Sequence, residues 1–542
     1  MATTNGTKAN GMAAPGKGQQ YVDEPPKKFA LPVDSEHKAK ALNLLSLSRP
    51  HMLSFHLNWI GFFITFLAAY AAAPLIPIIR DSLNLEQHQA NIAGVVTTAS
   101  TVFARIFIGV VCDRFGPRYA YGFLLAITAV PVFCMAVVEG PIGYIIERLF
   151  IGCSLAAFVI CQFWSSIMFS PTVVGMANAV AGGWGNAGGG VTQIVMPYMT
   201  EGIAKHVPEY EAWRWAYFLP GCLFIIICFL ILILGQDCPD GQYHMLEKSG
   251  KKLRSKPWRE LYNGITNYRM WGLAVCYAYT FGVELALDNA LAPFFENNFG
   301  FGITKAANLA AIFGMMNFFS RPLSGLFSDL IARRYGMRGR IWWLWFVVAA
   351  GGVTTALIGV THENFGACMA MVILSGIFLE AGCGATYGVV PFVSRRSTGI
   401  VCGLVSAGGA SGGVINQALF FLNTPAKGAY VLAAYDSFKW MGCVICAVAM
   451  FGVAPIYFPM WGGLLCGPKA GATEEDYYFS EYTPAEREQG HHLASSKFAF
   501  ETRSQRGMKR LQADPMFPVS GHRVNKDEGA PAAPANTGKA GV

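Results

Sequence analysis

The chain is 542 residues long, with 53% hydrophobic residues, 13% aromatic residues and only 14% charged residues. Soluble domains carry roughly 25% charged residues, so this composition indicates a membrane protein with many spanning segments. The formal net charge of +8 does not indicate a nucleic-acid partner, because Lys and Arg gather in short loops between apolar runs.

The N-terminal segment, residues 1–50, is polar and rich in glycine, and it has no apolar run typical of a cleaved signal peptide. We predict a cytosolic tail that is mobile over about its first 40 residues.

About twelve stretches of roughly 20 residues are apolar enough to form membrane-spanning helices. Residues 51–235 hold six of them, near 57–79, 90–111, 118–138, 143–168, 173–199 and 215–235. Residues 269–460 hold six more, near 269–294, 305–327, 341–360, 366–391, 399–421 and 438–459. The pattern predicts two six-helix bundles joined by a polar, basic linker over 236–268. Residues 461–542 are predicted to be a second tail, mobile beyond about residue 465.

The cations of the loops predict the orientation. Loops rich in Lys and Arg alternate with poorer ones, and the rich loops contain Arg114 and Arg118, Lys251 to Arg259, Arg333 to Arg340, and Arg395 with Arg396. Since cytoplasmic loops carry the excess of basic residues, both termini and the linker are expected in the cytosol.

Two arginines lie in matching apolar segments, FARIFIGVVCDRFGPR and FSRPLSGLFSDLIARR. Arg105 and Arg321 are 216 residues apart, and in both segments Gly follows by four positions and Asp by eight. The chain is therefore predicted to consist of two related halves. A guanidinium stays protonated, so at mid-membrane it must face a partner or a watery cavity. Two such cations facing one cavity would form an anion site.

A structural pairing of either arginine with a carboxylate is the alternative. The carboxylates that follow on the same helices, Asp113 and Asp329, lie two turns away, roughly 12 Å along the axis. That distance is too long for pairing. Both arginines are therefore interpreted as substrate ligands.

The loop after the second helix carries Gly109, Asp113, Arg114, Gly116 and Arg118, and a degenerate copy with Gly325, Asp329 and Arg333 follows the eighth. This pattern resembles the signature of the major facilitator superfamily. The resemblance implies an all-α membrane fold of two six-helix bundles that alternates access around a midplane site. It also implies that Asp113 caps or pairs across the cytoplasmic gate, while Arg114 and Arg118 hold neighbouring helix ends.

Two glycine-rich segments lie in the fifth helix of each half, GGWGNAGGGVTQ (182–193) and AGGASGGVINQ (407–417). An offset of 224 residues superposes Gly185, Gly188 and Gly189 on Gly409, Gly412 and Gly413. Together with VDSEHKAKALNLLSLSRPHM (33–52), AAAPLIPIIRD (71–81) and CGATYGVVPFVSRR (383–396), they resemble the nitrate-nitrite porter family in its plant and algal high-affinity branch. The resemblance covers residues 33 to 480 approximately.

This resemblance implies that Arg105 and Arg321 clamp nitrate, a flat anion that suits the planar guanidinium fork. Asn186, Gln193 and Gln417 are further candidate ligands, and their alternative role is hydrogen bonding between helices. The chain departs from the family pattern at Ala410, where Asn is usual. A polar contact from that side is therefore expected from one of three residues, Ser411, Asn416 or Gln417.

Glycines spaced four apart are expected to allow close helix approach and to let one half slide against the other. They are Gly185 with Gly189, and Gly409 with Gly413. Plain packing is the alternative role.

Accumulation of nitrate in a negative-inside cell costs about 2.3 kcal/mol per 100 mV and so needs a co-ion. The carboxylates in apolar segments are candidate proton carriers, namely Glu284, Asp288, Glu147 and Glu380. Their alternative role is structural pairing with polar neighbours.

We therefore expect a plasma-membrane secondary transporter that imports nitrate, with nitrite as a further candidate, together with protons. A nitrate-nitrite exchanger and a nitrate-binding sensor are the alternatives. None of the ten His residues has a metal-like or nucleophile-base spacing, so no enzyme, cofactor or metal is expected. The resemblance also implies a small single-pass accessory membrane protein as a partner.

Overall fold

The computed structural model describes residues 29–248, 257–421 and 429–488, together with His492, Ser495, Phe498 and Ser504. The first half of the chain forms nine α-helices within these residues. They are α1 (His51–Tyr70), α2 (Ile76–Leu83), α3 (Gln87–Phe115), α4 (Pro117–Cys134), α5 (Pro141–Gly152), α6 (Ala157–Met168), α7 (Val174–Ala204), α8 (Glu209–Ala216) and α9 (Phe218–Leu234).

Two short helices, α10 (Tyr243–Lys248) and α11 (Pro257–Thr266), lie in the linker. The second half and the tail form α12 (Tyr268–Ala278), α13 (Phe281–Phe299), α14 (Ile303–Met315), α15 (Asn317–Tyr335), α16 (Met337–Val360), α17 (Phe365–Val389), α18 (Thr398–Phe420), α19 (Ala429–Phe451), α20 (Glu474–Phe479) and α21 (Pro484–Glu488). Strands β1 (Tyr457–Phe458) and β2 (Gly462–Gly463) pair antiparallel.

Nine helical stretches of the described residues are long and apolar enough to cross a membrane. The other three predicted spans coincide with α7, with α14 and α15, and with α19. Glycines in α7 and charged residues in α15 and α19 lower the hydropathy of these helices. The prediction of an all-α membrane fold is confirmed.

Each half turns sharply after the helix that carries its repeated arginine. Gly116 separates α3 from α4 with φ +86°, and Gly336 separates α15 from α16 with φ +70°. These backbone angles favour glycine, because a Cβ would clash there. The repeat seen in the sequence is therefore also a repeat of backbone conformation.

The two halves contact each other through a matched pair of helix crossings, α3 on α18 and α15 on α7. A Cβ placed on Gly109 would lie 2.6 Å from the carbonyl oxygen of Gly399, and one placed on Gly325 would lie 2.5 Å from that of Gly175. Only glycine allows two backbones to approach so closely. The repeated glycines thus bring the halves into contact.

The glycines predicted to lie where the halves slide do not lie there. A Cβ on Gly185 would meet Phe62, and one on Gly409 would meet Tyr277, both within the same half. Gly189 likewise faces α1, and Gly413 faces Leu285 of α13. The predicted close approach of helices is present at Gly185 and Gly409, but it lies within each half and matches the alternative role of plain packing. Spacing along a helix shows which residues share a face, but not which helix that face meets.

The described parts of both tails pack against one end of the bundle. The backbone N–H of Ala39 donates to the Met168 carbonyl at 3.0 Å, and the Tyr478 hydroxyl donates to the Phe392 carbonyl at 3.1 Å. The expected mobility is therefore wrong for residues 29–40 and 465–488. Residues 1–28 and most residues after 488 lie outside the described part of the chain. We call this end of the bundle, formed with α10 and α11, the linker face.

Candidate functional site

Both repeated arginines are buried at the centre of the molecule, between the two halves. Arg105 on α3 is 1% exposed and Arg321 on α15 is 2% exposed. Their guanidinium carbons lie 5.2 and 5.6 Å from the centre of the same ring, that of Phe281 on α13. The sequence-predicted convergence of the two cations is therefore present in the structure.

Arg321 is held by two buried carboxylates. Its Nη2 donates to Oε2 of Glu284 at 2.5 Å, and its Nε donates to Oε2 of Glu380 at 2.9 Å. The amide of Asn317 donates to the second oxygen of each carboxylate, at 2.7 and 2.8 Å. The assumption that Arg321 lacks a carboxylate partner is wrong, because its partners come from α13 and α17 rather than from its own helix.

The charges around Arg321 do not balance when both carboxylates are ionised. One guanidinium then faces two anions, and the Cys383 thiol lies 3.7 Å from Oε2 of Glu284. Acceptor atoms of Glu284, Glu380 and Cys383 lie within 4.8 Å of one another. The buried cluster therefore places two carboxylates and a thiol around one guanidinium.

Arg105 has a different environment. Its Nη1 donates to the backbone carbonyl of Ser406 at 2.7 Å, and its guanidinium carbon lies 5.5 Å from the centre of the Phe158 ring. It forms no ion pair among the described residues, and its buried Nε has no hydrogen-bond partner there. Arg105 therefore keeps a full positive charge and a free donor.

Three nearly parallel aromatic rings lie beside the arginines. The rings of Phe158 and Phe281 are inclined by 4°, and Tyr277 is inclined to them by 10° and 7°. Tyr277 is fully buried, and its hydroxyl has no hydrogen-bond partner among the described residues. The arrangement offers flat apolar faces with an unused donor at their edge.

Asn186 is a further buried residue whose polar atoms have no partner among the described residues. It is 6% exposed, and neither its amide nitrogen nor its amide oxygen is hydrogen-bonded within the described residues. It lies one turn after Gly182 on α7, where a Cβ would be 4.0 Å from Nη1 of Arg321. Since residues four apart share a helix face, Asn186 belongs to the face directed at the centre.

The other predicted amide ligands make no hydrogen bond to either arginine among the described residues. Gln193 is exposed, and Gln417 is half-buried with its Oε1 unpartnered among the described residues. Asn416 is fully buried and donates to the Ala278 carbonyl at 3.1 Å. This bond joins α18 to α12.

The signature residues lie at the linker face. The Asp113 carboxylate accepts hydrogen bonds from the backbone N–H groups of Gly399 and Ile400, both at 2.9 Å. In the matching position, Asp329 accepts from Gly175 at 3.2 Å and from the next residue at 2.7 Å. Each aspartate thus caps a helix of the opposite half.

The arginines that follow Asp113 contact the linker. Nη1 of Arg114 lies 3.3 Å from Oε1 of Glu247 on α10. The backbone N–H of Arg118 donates to the Asp237 carboxylate at 2.9 Å, at the start of α4. The Arg114 side chain thus contacts a linker helix, whereas the described bond of Arg118 is one in which Asp237 caps the start of Arg118's own helix.

Two carboxylates of the predicted set do not touch either arginine. Asp288 follows Glu284 by one turn of α13 and is exposed. A Cβ placed on Gly314 would lie 3.6 Å from its Oδ1. Glu147 on α5 is half-buried and takes no part in the described hydrogen bonds around Arg105 or Arg321. Of the four candidates, Glu284 and Glu380 are the ones bonded to an arginine.

Sequence reasoning missed several residues of the centre. Asn317 precedes Arg321 by one turn, and a polar residue at that place in an apolar helix was a usable signal. Phe158, Tyr277 and Phe281 gave no such signal, because aromatic residues are common throughout the spanning helices.

A sequence model described as Major Facilitator Superfamily matches residues 59–417. Solved structures agree in fold. The proton:xylose symporter XylE bound to 6-bromo-6-deoxy-D-glucose gives a TM-score of 0.58 at 10% identity, covering 76% of this chain and 98% of that one. FucP in the outward conformation gives 0.55 at 14% identity, covering 74% and 99%. The class of protein is therefore a major facilitator transporter.

Sequence relatives narrow the class. "High affinity nitrate transporter 2.5" of Arabidopsis thaliana is 45% identical over 484 residues, covering 89% of this chain and 95% of the relative. "Nitrate transporter 2.1" of Chlamydomonas reinhardtii is 44% identical over 495 residues, covering 91% and 90%. The chain belongs to the family of these plant and algal nitrate transporters, within the major facilitator superfamily. As a member of this family it is a multi-pass membrane transporter and not an enzyme.

Proposed function

We propose that this protein is a secondary active transporter that carries nitrate, and nitrite as a second substrate, into the cell together with protons. The names of its relatives support nitrate as the substrate, and "Nitrate/nitrite transporter NrtP" of Nostoc punctiforme, 28% identical over 438 residues and covering 68% of this chain and 86% of the relative, supports nitrite. The observation that carries the proposal is a set of three buried donors without partners among the described residues, at Arg105, Tyr277 and Asn186.

Nitrate binds between the two halves in this proposal. The free Nε of Arg105, the Tyr277 hydroxyl and the Asn186 amide are donors that a planar anion with three oxygens can satisfy. The parallel rings of Phe158 and Phe281 offer flat faces to the plane of the anion. Buried donors left unpaired cost about 1–3 kcal/mol each, so anion binding regains what the empty site lacks.

In this proposal, coupling to protons follows from the charge balance of the whole centre. With Glu284 and Glu380 ionised, the two carboxylates and the two central arginines sum to zero, and nitrate would add an uncompensated negative charge. Protonation of one carboxylate restores neutrality and also frees a guanidinium donor for the anion. Proton binding and nitrate binding therefore favour each other.

Glu284 is the better of the two candidate carriers. It lies one helical turn from the exposed Asp288 on the same face of α13, which gives a short route for a proton from water to the buried cluster. Glu380 is fully buried and has no such exposed neighbour on α17 among the described residues. We therefore assign proton transfer to Glu284 and positioning of Arg321 to Glu380.

The ion cluster favours symport over the other two functions. A nitrate-nitrite exchanger needs no carboxylate at the site, whereas here two carboxylates contact one of the arginines. A nitrate-binding sensor needs no contact between halves that opens and closes. The paired helix caps of Asp113 and Asp329 join the two halves, and the proposal assigns their opening and closing to transport.

The proposal includes a plasma-membrane location with the linker face in the cytosol. The basic residues Arg114, Arg395 and Arg396 all lie at the linker face, in agreement with the charge rule for cytoplasmic loops. The proposed partners also include the lipid bilayer and a small single-pass accessory membrane protein.

The test is transport by the purified full chain in liposomes under an inward proton gradient. We expect nitrate to accumulate and to carry an inward current if more than one proton moves with each anion. Transport that equilibrates nitrate but never concentrates it would favour the exchanger, and saturable binding without counterflow would favour the sensor. Tracer uptake in a transport-null cell, with and without the accessory protein, tests the partner.

Alternating access predicts which glycines matter most. A Cβ on Gly183 of α7 would lie 2.6 Å from the Asn317 carbonyl oxygen on α15, across the two halves, whereas one on Gly189 would lie 3.5 Å from Phe66. We expect Gly183→Ala to slow uptake, because overpacking costs about 1–3 kcal/mol. Gly189→Ala is the matched control on the same helix. Equal initial rates of nitrate uptake in the two variants, at equal surface abundance, would contradict this role of Gly183.

A further inference from the structure

The linker face contains a cavity of about 110 Å³ between the two halves. Its wall includes Ser166 near the end of α6 and Thr398 at the start of α18, which belong to different halves. Two cations, Lys38 and Arg395, and the ring of Phe498 also line the cavity. The cavity is large enough for a small anion and lies apart from the central arginines.

The two cations of this wall share one carboxylate as their ion-pair partner. Nη2 of Arg395 lies 2.5 Å from one oxygen of Glu36, and Nζ of Lys38 lies 3.1 Å from the other. One carboxylate therefore pairs with two cations, and these three side chains sum to one positive charge. The neighbouring Asp34 carboxylate accepts hydrogen bonds from the backbone N–H groups of Glu36 and Lys38. Nε of Arg395 is buried and has no hydrogen-bond partner among the described residues. Burial alone would raise the pKa of Glu36, but Arg395 and Lys38 lower it to about 2, so Glu36 stays ionised.

A second acid touches the same loop without cancelling this charge in full. The Glu481 carboxylate accepts hydrogen bonds from the backbone N–H groups of Arg395 and Arg396, both at 3.2 Å. Burial raises the pKa of Glu481 to about 7, so near neutral pH its carboxyl is only partly ionised. The free Nε of Arg395 thus remains in a positive environment.

Stripes of residues one turn apart lead from the centre to this cavity. On α6 they are Phe158, Gln162 and Ser166, and on α18 they are Ser406, Cys402 and Thr398. The first of each contacts Arg105, and the last of each lines the cavity. The cavity therefore lies on the axis that a substrate follows from the arginines to the linker face.

A hydrogen-bonded layer closes this path. The Gln162 amide donates to the Asn178 carbonyl at 3.1 Å, and the Asn178 amide donates to the Tyr387 carbonyl at 3.2 Å. The Tyr387 hydroxyl donates to the Cys402 carbonyl at 3.3 Å. Asn178 belongs to the first half and Tyr387 to the second, so separation of the halves at this face breaks the layer.

We propose that the cavity lined by Arg395 and Lys38 is a second binding site for a small monoanion, at which the substrate pauses before it leaves through the linker face. The inference rests on the proposed function in naming nitrate as that monoanion. Glu36 is the built-in competitor of the anion, since it bonds to both cations. Anion binding therefore weakens the attachment of the N-terminal segment to the loop before α18.

The neighbouring arginine provides a matched control. Arg396 lies 2.8 Å from Glu486 and 3.5 Å from Glu260, and Arg259 lies 3.7 Å from Glu486, so this group balances two cations with two anions. It does not line the cavity. Arg395→Gln removes an ion pair with Glu36 of the N-terminal segment, and Arg396→Gln removes one with Glu486 of the C-terminal tail. Only the first removes a cation from the proposed site.

The experiment is equilibrium binding of labelled nitrate to the purified full chain. We expect wild type and Arg396→Gln to bind at two sites, Arg105→Ala to keep only the second site, and Arg395→Gln to keep only the first. Glu36→Gln removes the competitor and should tighten the second site several-fold, which keeps the test valid if Arg395→Gln misfolds. In counterflow from the linker side, Arg395→Gln should release substrate more slowly, with unchanged apparent affinity at the other face.

Several results would overturn the second site. They are a single binding site in wild type that Arg105→Ala removes, equal effects of Arg395→Gln and Arg396→Gln, and no tightening by Glu36→Gln. A single binding site that Arg105→Ala removes would leave the proposed central site intact. Binding that survives in Arg105→Ala and disappears in Arg395→Gln would support the second site even if the central clamp were rejected.

Discussion

Arg105→Lys is expected to weaken nitrate binding by about 10- to 100-fold, because loss of a charge-assisted hydrogen bond costs about 1.5–3 kcal/mol. Lysine keeps the charge but loses the planar fork and the free Nε donor. Stability should change little, since Arg105 makes one described hydrogen bond, to the Ser406 carbonyl, and no described ion pair. The measurement is the concentration dependence of initial nitrate uptake at the cell surface.

Two further variants are compared with Arg105→Lys. Arg214→Lys is the control, because Arg214 also donates to a backbone carbonyl, that of Val138, at 2.8 Å, but lies outside the site. Arg321→Lys should lower both affinity and stability, since Glu284 and Glu380 lose a two-point partner. An unchanged apparent affinity in Arg105→Lys would remove this arginine from the site.

Glu284→Gln is expected to abolish proton-driven accumulation of nitrate while counterflow between equal nitrate pools continues. The amide keeps the shape of the side chain but cannot carry the proton, and counterflow needs no net proton movement. The measurements are the accumulation ratio in liposomes under an inward proton gradient and the tracer exchange rate without one. The accumulation ratio should fall to the value set by the membrane potential alone.

The other carboxylates test the assignment. Asp288→Asn should slow accumulation without lowering its final ratio, because Asp288 is exposed and contributes to access rather than to the ion cluster. Glu147→Gln should match wild type, and Glu380→Gln should alter nitrate affinity through Arg321. Full accumulation by Glu284→Gln, with loss in Glu380→Gln, would move the proton carrier to α17.

The identity of the arginine pair could be predicted because it depends on local properties of the chain. A permanent cation within an apolar run and the same spacing of Gly and Asp in two segments are visible without a fold. Convergence of Arg105 and Arg321 on one ring then follows from the internal symmetry of two related halves.

The surroundings of each arginine could not be predicted in the same way. Both arginines have equivalent sequence neighbours, yet Arg321 is paired with Glu284 and Glu380 while Arg105 has no described ion pair. The difference comes from α13 and α17, whose carboxylates bond Arg321, whereas the ion pairs of the described residues include none with Arg105. A repeat in sequence therefore did not predict that the two halves differ in charge at their shared site.

By itself, the sequence determined the membrane class, the two related halves, the family and the repeated cations, because composition, periodicity and motif spacing are properties of contiguous residues. Only the tertiary structure decided which glycines lie between the halves, which carboxylates hold Arg321, and where the tails dock. These contacts join residues far apart in the chain, such as Glu284 with Glu380 and Glu36 with Arg395. They depend on the rotation of each helix about its axis, which packing against neighbouring helices sets and spacing along one helix does not reveal.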